Sequence, residues 1–323
     1  MKNFFTASVA ALAGLSHALP TSLNTRQSSA VSDITILQFA LTLEHLENVF
    51  YKEALLRFQV SDFEAVGLDV EYLKKLIFVV ADEQSHVGLL SKAITAAGSK
   101  PVGACQYNFP YTDVQSFLTL SSVLEGVGTS AYLGAAALVS DKTILTTAGS
   151  ILVAEALHTS QQRDALKLVP AANPLGTPLG ANAVFTLAAS FITSCPASNE
   201  ALPFKAFPTL TGGSASPAIE GTSLSFTGPS AISAGSFLTF VSGLTITSVS
   251  ATISDTSITA SVPTGLGGQT YVMVTSKDVS GGTINDADVL MGPAIIEVTP
   301  GEPGVDINIV RRPDAGVDVG VQQ

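Results

Sequence analysis

Glu83-Gln84-Ser85-His86 is the stretch on which the reading of this chain turns. Residues three apart on a helix share a face, so Glu83 and His86 point the same way. Their neighbours on that face are Leu76, Val79, Val80, Val87 and Leu90, all apolar. A carboxylate and an imidazole therefore stand where core side chains belong, and a charge left there uncompensated is costly. The chain repeats the arrangement at Glu155-Ala156-Leu157-His158, with Ile151 and Leu152 on the shared face. Two Glu-x-x-His units on separate apolar stripes are the donor pattern of a dinuclear metal site inside a four-helix bundle.

Four long helices are expected around these units. The first spans 33–58, with Asp33 as its N-cap and Leu37, Ala40, Leu41, Glu44, Glu47 and Tyr51 along one stripe. The second spans 69–97, carries Glu83 and His86, and stops at Gly98 with Pro101 beyond it. Residues 98–112 lack a helical period, and fifteen extended residues reach about 50 Å. That is enough to run the length of a bundle, so this segment is expected to be a long crossover. The third helix, 113–139, opens at Asp113 and carries Leu118, Ser121, Ser122, Glu125, Gly128, Thr129 and Tyr132 on its stripe. Its small residues are expected to admit a neighbouring helix. The fourth covers 141–169, prolines 170, 174 and 178 punctuate a loop, and a shorter fifth helix over 179–194 ends at Cys195-Pro196.

The ends read differently. Residues 1–18, with Lys2 before the apolar run Phe4 to Leu15 and small Ser16 and Ala18 near the end, read as a secretory signal. Residues 19–30 are expected to be a flexible segment and 31–202 the helical bundle. Residues 203–300 are expected to form a second domain: from Thr209 onward Ser, Thr, Gly and Val dominate, and runs such as Ser223-Leu-Ser-Phe-Thr and Thr270-Tyr-Val-Met-Val-Thr alternate with turn residues. Short strands at this spacing imply an immunoglobulin-like β-sandwich, although the chain has no tryptophan. The acidic, turn-rich tail, 301–323, is expected to be disordered. The fold class is thus multidomain, α then β.

Composition excludes some functions. The formal net charge is -11, and no basic stripe exists to neutralise phosphates, so nucleic acid is not an expected partner. No charged residue lies between Leu168 and Asn199, yet the prolines and Asn182, Thr186, Ser190 and Thr193 make that stretch unsuitable as a membrane span. No Asn-x-Ser/Thr sequon is present.

The two halves of the helical region also match in order. Glu44 and Tyr51, seven apart, precede Glu83 and His86; Glu125 and Tyr132, seven apart, precede Glu155 and His158. This arrangement resembles the ferritin-like di-iron carboxylate proteins. More closely, it resembles the secreted fungal ferritin-like-domain proteins, which include stress-response and sexual-development proteins. The segments that carry the likeness are Leu41-Thr-Leu-Glu-His-Leu-Glu-Asn-Val-Phe-Tyr51, Asp82-Glu-Gln-Ser-His86, Cys105-Gln-Tyr-Asn-Phe-Pro110 and Cys195-Pro196. Gly268-Gln-Thr-Tyr-Val-Met-Val-Thr and Gly292-Pro-Ala-Ile-Ile-Glu-Val-Thr-Pro300 extend it, so that it covers about residues 31–300.

By that resemblance, Glu44, Glu83, His86, Glu125, Glu155 and His158 are expected to bind two metal ions. Glu83 and Glu155 would bridge both, with Glu44 and Glu125 each holding one. Four carboxylates oppose the four positive charges of two divalent ions, which explains so many acids in one core. Carboxylate and imidazole donors suit iron, with manganese as the alternative, and zinc fits on ligand type alone. Tyr51 and Tyr132 are expected beside ligand carboxylates, giving a hydrogen bond or an electron. The competing reading is a buried tyrosine with a satisfied hydroxyl and no further part. Glu47 is the rival to Glu44, or else the partner of a ligand histidine. His45, about 100° round the helix from Glu44, is expected off the metal. Cys105 and Cys195 are the only cysteines beside a secretion signal, so a disulfide is expected, with two free thiols as the competing case.

Three functions follow as expectations: a secreted di-iron oxidase or ferroxidase-like protein, an iron or manganese peroxide scavenger, or a non-enzymatic cell-wall or extracellular protein whose bundle is a scaffold. Dioxygen or peroxide is the expected co-reactant of the first two. A monomer or dimer is expected, since an appended β-domain is awkward for a closed storage cage.

Overall fold

The computed structural model describes residues 31–213, 217–302 and 304. The expected secretory signal (1–18), the segment after it (19–30) and nearly all of the expected tail (301–323) lie outside the described residues. The helices are α1 (Asp33–Arg57), the short α2 (Val60–Glu64), α3 (Val70–Ala96), α4 (Val114–Ala135), α5 (Lys142–Ala165) and α6 (Ala181–Ala189). A 3₁₀ turn, Ala136–Leu138, follows α4.

Aspartates open three of the long helices. Asp69 accepts from Tyr72 N, Asp113 from Ser116 N, and Asp141 from Thr143 N and Ile144 N, each satisfying amides that a helix start leaves unpaired. The first helix differs from expectation, because Ser32 caps it. Asp33 instead accepts from Ser140 N and Asp141 N, both at 2.8 Å, tying the start of α1 to the α4–α5 turn. The end of α5 also falls short of the expected residue 169. Lys167 takes a positive φ of 59°, which ends the helix, and Arg163 Nε donates to Val169 O at 2.8 Å.

The crossover is observed. Gln38 Nε2 donates to Lys100 O at 2.7 Å, His45 Nε2 lies 3.0 Å from Val102 O, and Arg57 donates to Tyr111 O and Thr112 O. Successive crossover residues thus meet successive points along α1. The segment runs from the end where α3 finishes to the end where α1 finishes, and α4 starts there antiparallel to α1. This is the connectivity of a ferritin-like bundle.

The expected fifth helix is corrected. It stops at Ala189, and Ile192–Ser194 is a strand, β2, paired antiparallel with β1 (Gln106–Tyr107) in the crossover. Asn108 N donates to Phe191 O at 2.8 Å, and the Cys105–Cys195 disulfide closes the pair. A partner strand and a covalent tie, 90 residues apart in sequence, override the local helical pattern. In the chain-entropy picture such a closure contributes about 4–5 kcal/mol.

Among the described residues eight strands follow: β3 (Thr211–Gly212), β4 (Ser223–Thr227), β5 (Phe237–Ser242), β6 (Thr245–Ser250), β7 (Thr252–Ser254), β8 (Ser257–Ser261), β9 (Gly268–Thr275) and β10 (Val289–Val298). They form two antiparallel sheets, β3-β4-β8-β7 and β10-β9-β5-β6. With strands lettered in chain order, these are the ABED and GFCC′ sheets of an immunoglobulin-like sandwich. Phe226, Phe240, Ile258, Val272 and Ile296 pack between the sheets. The alternate side chains Val241, Tyr271, Met273 and Val289 join the core of the helical bundle. The second sheet is therefore a middle layer, buried on both faces.

That docking is polar at its centre. Arg163 of α5 grips Glu297 of β10 through two bonds, 2.9 and 2.7 Å. Tyr271 OH lies 2.8 Å from Ser130 Oγ and 3.0 Å from Gly126 O on α4. Gly126 lets that side of the sheet lie close: a Cβ there would stand 2.4 Å from Gln269 Oε1 and push that side chain aside. The small residues of α4 thus serve the sheet as well as a helix.

Candidate metal centre

Each of the four long helices sends ligand-type side chains to one point. Glu44 comes from α1, Glu83 and His86 from α3, Glu125 from α4, and Glu155 and His158 from α5; all six are buried. Their donor atoms fall into two groups, each with all atoms within 4.8 Å of one another. One is Glu44, Glu83, His86 and Glu155; the other is Glu83, Glu125, Glu155 and His158. The two carboxylates common to both groups, Glu83 and Glu155, are the pair expected to bridge. The ring centroids of His86 and His158 are 6.2 Å apart.

The contacts follow an approximate twofold pattern relating α1–α3 to α4–α5. His86 Nδ1 lies 3.2 Å from Glu44 Oε2, 3.4 Å from Glu155 Oε1 and 3.6 Å from Glu83 Oε2. His158 Nδ1 lies 3.0 Å from Glu83 Oε1 and 3.3 Å from Glu125 Oε2. The tyrosines cross over: Tyr51 OH donates to Glu125 Oε1, and Tyr132 OH donates to Glu44 Oε1. Each Glu-x6-Tyr pair therefore works in trans, the tyrosine of one helix orienting the glutamate of the other.

Fit to a metal pair rests on unpaired atoms. Both oxygens of Glu83, both of Glu155, Glu125 Oε2 and His158 Nδ1 are buried without a hydrogen-bond partner. Buried carboxylates in that condition are costly unless a cation meets them. Oxygen and imidazole donors on both sides suit iron or manganese. The residues present fit the group.

Electrostatics say the same. Burial pushes the carboxyl of Glu155 well above the usual carboxylate range, and the charge of Glu83 adds to it. Burial also raises Glu44, to about 7, although its bond to His86 pulls the other way. Burial raises Glu125 as well, against the pull of His158 3.3 Å away. Glu83 is the exception: burial opposes its ionisation, yet contacts with His158 and His86 bring it down to about 2. Burial would lower both imidazoles, but Glu155, Glu44 and Glu83 hold His86 up at about 12, and Glu125 and Glu83 hold His158 at about 11. The cluster is short of positive charge and retains protons to make up for it.

Glu47 is not in either group. The imidazole contacts lie with other residues, and His158 Nε2 meets Asp82 Oδ2 at 3.2 Å, so Glu47 is not the expected histidine partner. It is buried and lines a mostly apolar cavity of about 80 Å³, next to Gly128. A Cβ on Gly128 would stand 2.4 Å from Glu155 Oε2 and 3.0 Å from Glu47 Oε1. That glycine leaves room for two carboxylates. His45 lies off the site, as expected, against Val102 O.

Three supporting residues were not read from the sequence. Asp82 orients His158 from a neighbouring helix. Gln162 accepts from Tyr72 OH at 2.6 Å, and its Nε2 lies 3.4 Å from Tyr51 OH, so a chain of side chains backs Glu125. Gln162 stands seven residues after Glu155, on the same stripe, which is the signal that could have found it.

Comparison with known proteins agrees with this geometry. Residues 32–168 match the family described as the ferritin-like domain. Over 178 residues the chain is 26% identical to Protein rds1 of Schizosaccharomyces pombe (strain 972 / ATCC 24843). That match covers 55% of this chain and 44% of the relative, so it spans less than half of the relative's length. Both support the resemblance drawn from the sequence to fungal ferritin-like-domain proteins.

Proposed function

We propose that this chain is an exported dinuclear metal protein, with iron as the metal and manganese as the alternative, acting on dioxygen, peroxide or ferrous iron. One observation carries the reading: two four-donor groups share Glu83 and Glu155 at the centre of a ferritin-like bundle. Glu44 and His86 would complete one side, Glu125 and His158 the other. When bound, iron or manganese supplies one-electron steps toward dioxygen or peroxide. The chain's own part is to fix the donors. Tyr132 and Tyr51 hold the outer oxygens of Glu44 and Glu125, Asp82 holds His158, and the apolar stripes exclude bulk water. A bundle that binds no cation would leave four buried carboxylates with only two imidazoles beside them, which argues against an empty scaffold. The Cys105–Cys195 disulfide favours an oxidising compartment, in keeping with export.

The test is dioxygen uptake on adding ferrous ion to the metal-free protein, with peroxide consumption measured in parallel. Uptake in proportion to protein supports an oxidase; peroxide loss without it supports a scavenger. Neither reaction in the wild type, or equal rates in the Glu83→Ala/Glu155→Ala double variant, would end the proposal.

A further inference from the structure

Beyond the metal centre, all four long helices enclose a second space at the end of the bundle where α1 and α5 begin. It is a cavity of about 190 Å³. Six alanines, at 40, 93, 131, 135, 136 and 148, stand in its wall. Each occupies a position where a leucine would help close the space, so the void follows from side-chain size. Its floor includes Tyr132, whose hydroxyl is turned away and spent on Glu44. The Thr147 hydroxyl, also in the wall, is spent on Thr143 O at 2.9 Å. Thr143 is exposed and marks the mouth. The side chains of the inner wall therefore offer no free hydrogen-bonding group.

A roomy space without polar partners does not hold water well, and an engineered apolar cavity of roughly 150 Å³ binds benzene. We infer that this cavity binds a small apolar organic molecule, of the size of an alkylbenzene or a short alkyl chain, with its inner end against the Tyr132 ring. Such a molecule would touch the Tyr132 ring, whose hydroxyl bonds the Glu44 carboxylate on its far side. The binding itself stands on the cavity. Its use as the substrate seat of the centre rests on the function proposed above.

The probe is toluene, and the first measurement uses the metal-free full chain, so loss of metal binding does not affect it. Toluene at ten times its Kd is expected to raise the Tm of the wild type by about 2–5 °C relative to Ala148→Leu, which fills the space. Ala40→Val serves if the leucine variant does not fold. No rise in the wild type, or the same rise in the filled variant, overturns the inference. The second measurement uses manganese-loaded protein. Toluene is expected to alter its electron paramagnetic resonance spectrum in the wild type and not in the filled variant. A thermal shift without any spectral change would leave the cavity as a binding site and overturn its role as the substrate seat.

Discussion

Gly128→Ala separates metal binding from folding with a single methyl group. An added Cβ would stand 2.4 Å from Glu155 Oε2, where contact needs about 3.4 Å, so that carboxylate must move by about 1 Å. Metal–ligand distances tolerate about 0.2 Å. If Glu155 is held in common by two ions, a displacement five times that far would cost it that role. The expected loss exceeds the roughly 10–100-fold that changes to orienting residues produce. The fold should tolerate the change, because the clashing atoms are ends of side chains and alanine favours a helix interior over glycine by about 0.5–1 kcal/mol. Metal-free Gly128→Ala is expected to melt at or slightly above the wild type. The assay pairs anaerobic ferrous titration, read as bound metal after desalting, with a thermal melt of the metal-free form. Wild-type affinity with two ions per chain would refute the placement of Glu155. A sharp fall in the melting temperature would show that the methyl strains the backbone instead.

Other expectations follow from the same geometry. In the metal-free fold, Glu44, Glu125, Glu47 and Glu155 hold protons above the usual carboxylate range, and both imidazoles hold theirs to about 12 and 11. The folded chain then binds more protons than the unfolded one, so its stability falls as pH rises above about 4.5, while Glu83, at about 2, acts only below that window. Metal displaces those protons and binds more tightly as pH rises, so the melting-temperature gap between loaded and metal-free protein should widen from about pH 5.5 to about pH 8; a constant gap would contradict the charge balance. Tyr51→Phe and Tyr132→Phe should each weaken metal binding by about 10–100-fold and to a similar extent, since each frees one outer ligand oxygen. A titration in which only one of them matters would break the twofold pattern. Arg163→Ala leaves the largely buried Glu297 carboxylate unpaired and should cost about 3–5 kcal/mol in chemical denaturation; an unchanged midpoint would show that the sheet docks without this pair.

What the sequence could show divides by range. The residues that meet at this point were legible because each element of the pattern is a spacing within one helix: three for Glu83 and His86, seven for Glu44 and Tyr51. Which glutamate each tyrosine holds was not, because Tyr51 meets Glu125 across 74 residues and no intrahelical spacing encodes that. Asp82 was hidden for the same reason, its partner lying on α5. Ile192–Ser194 reads locally as the end of an apolar helix and becomes a strand only because Gln106 and Tyr107 lie alongside it. The sandwich was visible from alternation, whereas its docking was not. Tyr271-Val-Met-Val274 is apolar on both faces, the mark of a strand buried on both sides, with the bundle as the unseen second layer.

If six side chains from four helices hold a pair of metal ions, the metal counted per chain will show it. Protein loaded anaerobically with ferrous or manganous ion, desalted, and assayed by elemental analysis should carry two ions per chain, and the Glu83→Ala/Glu155→Ala variant none. A wild type that retains one ion or none, or a variant that still retains two, would contradict the account.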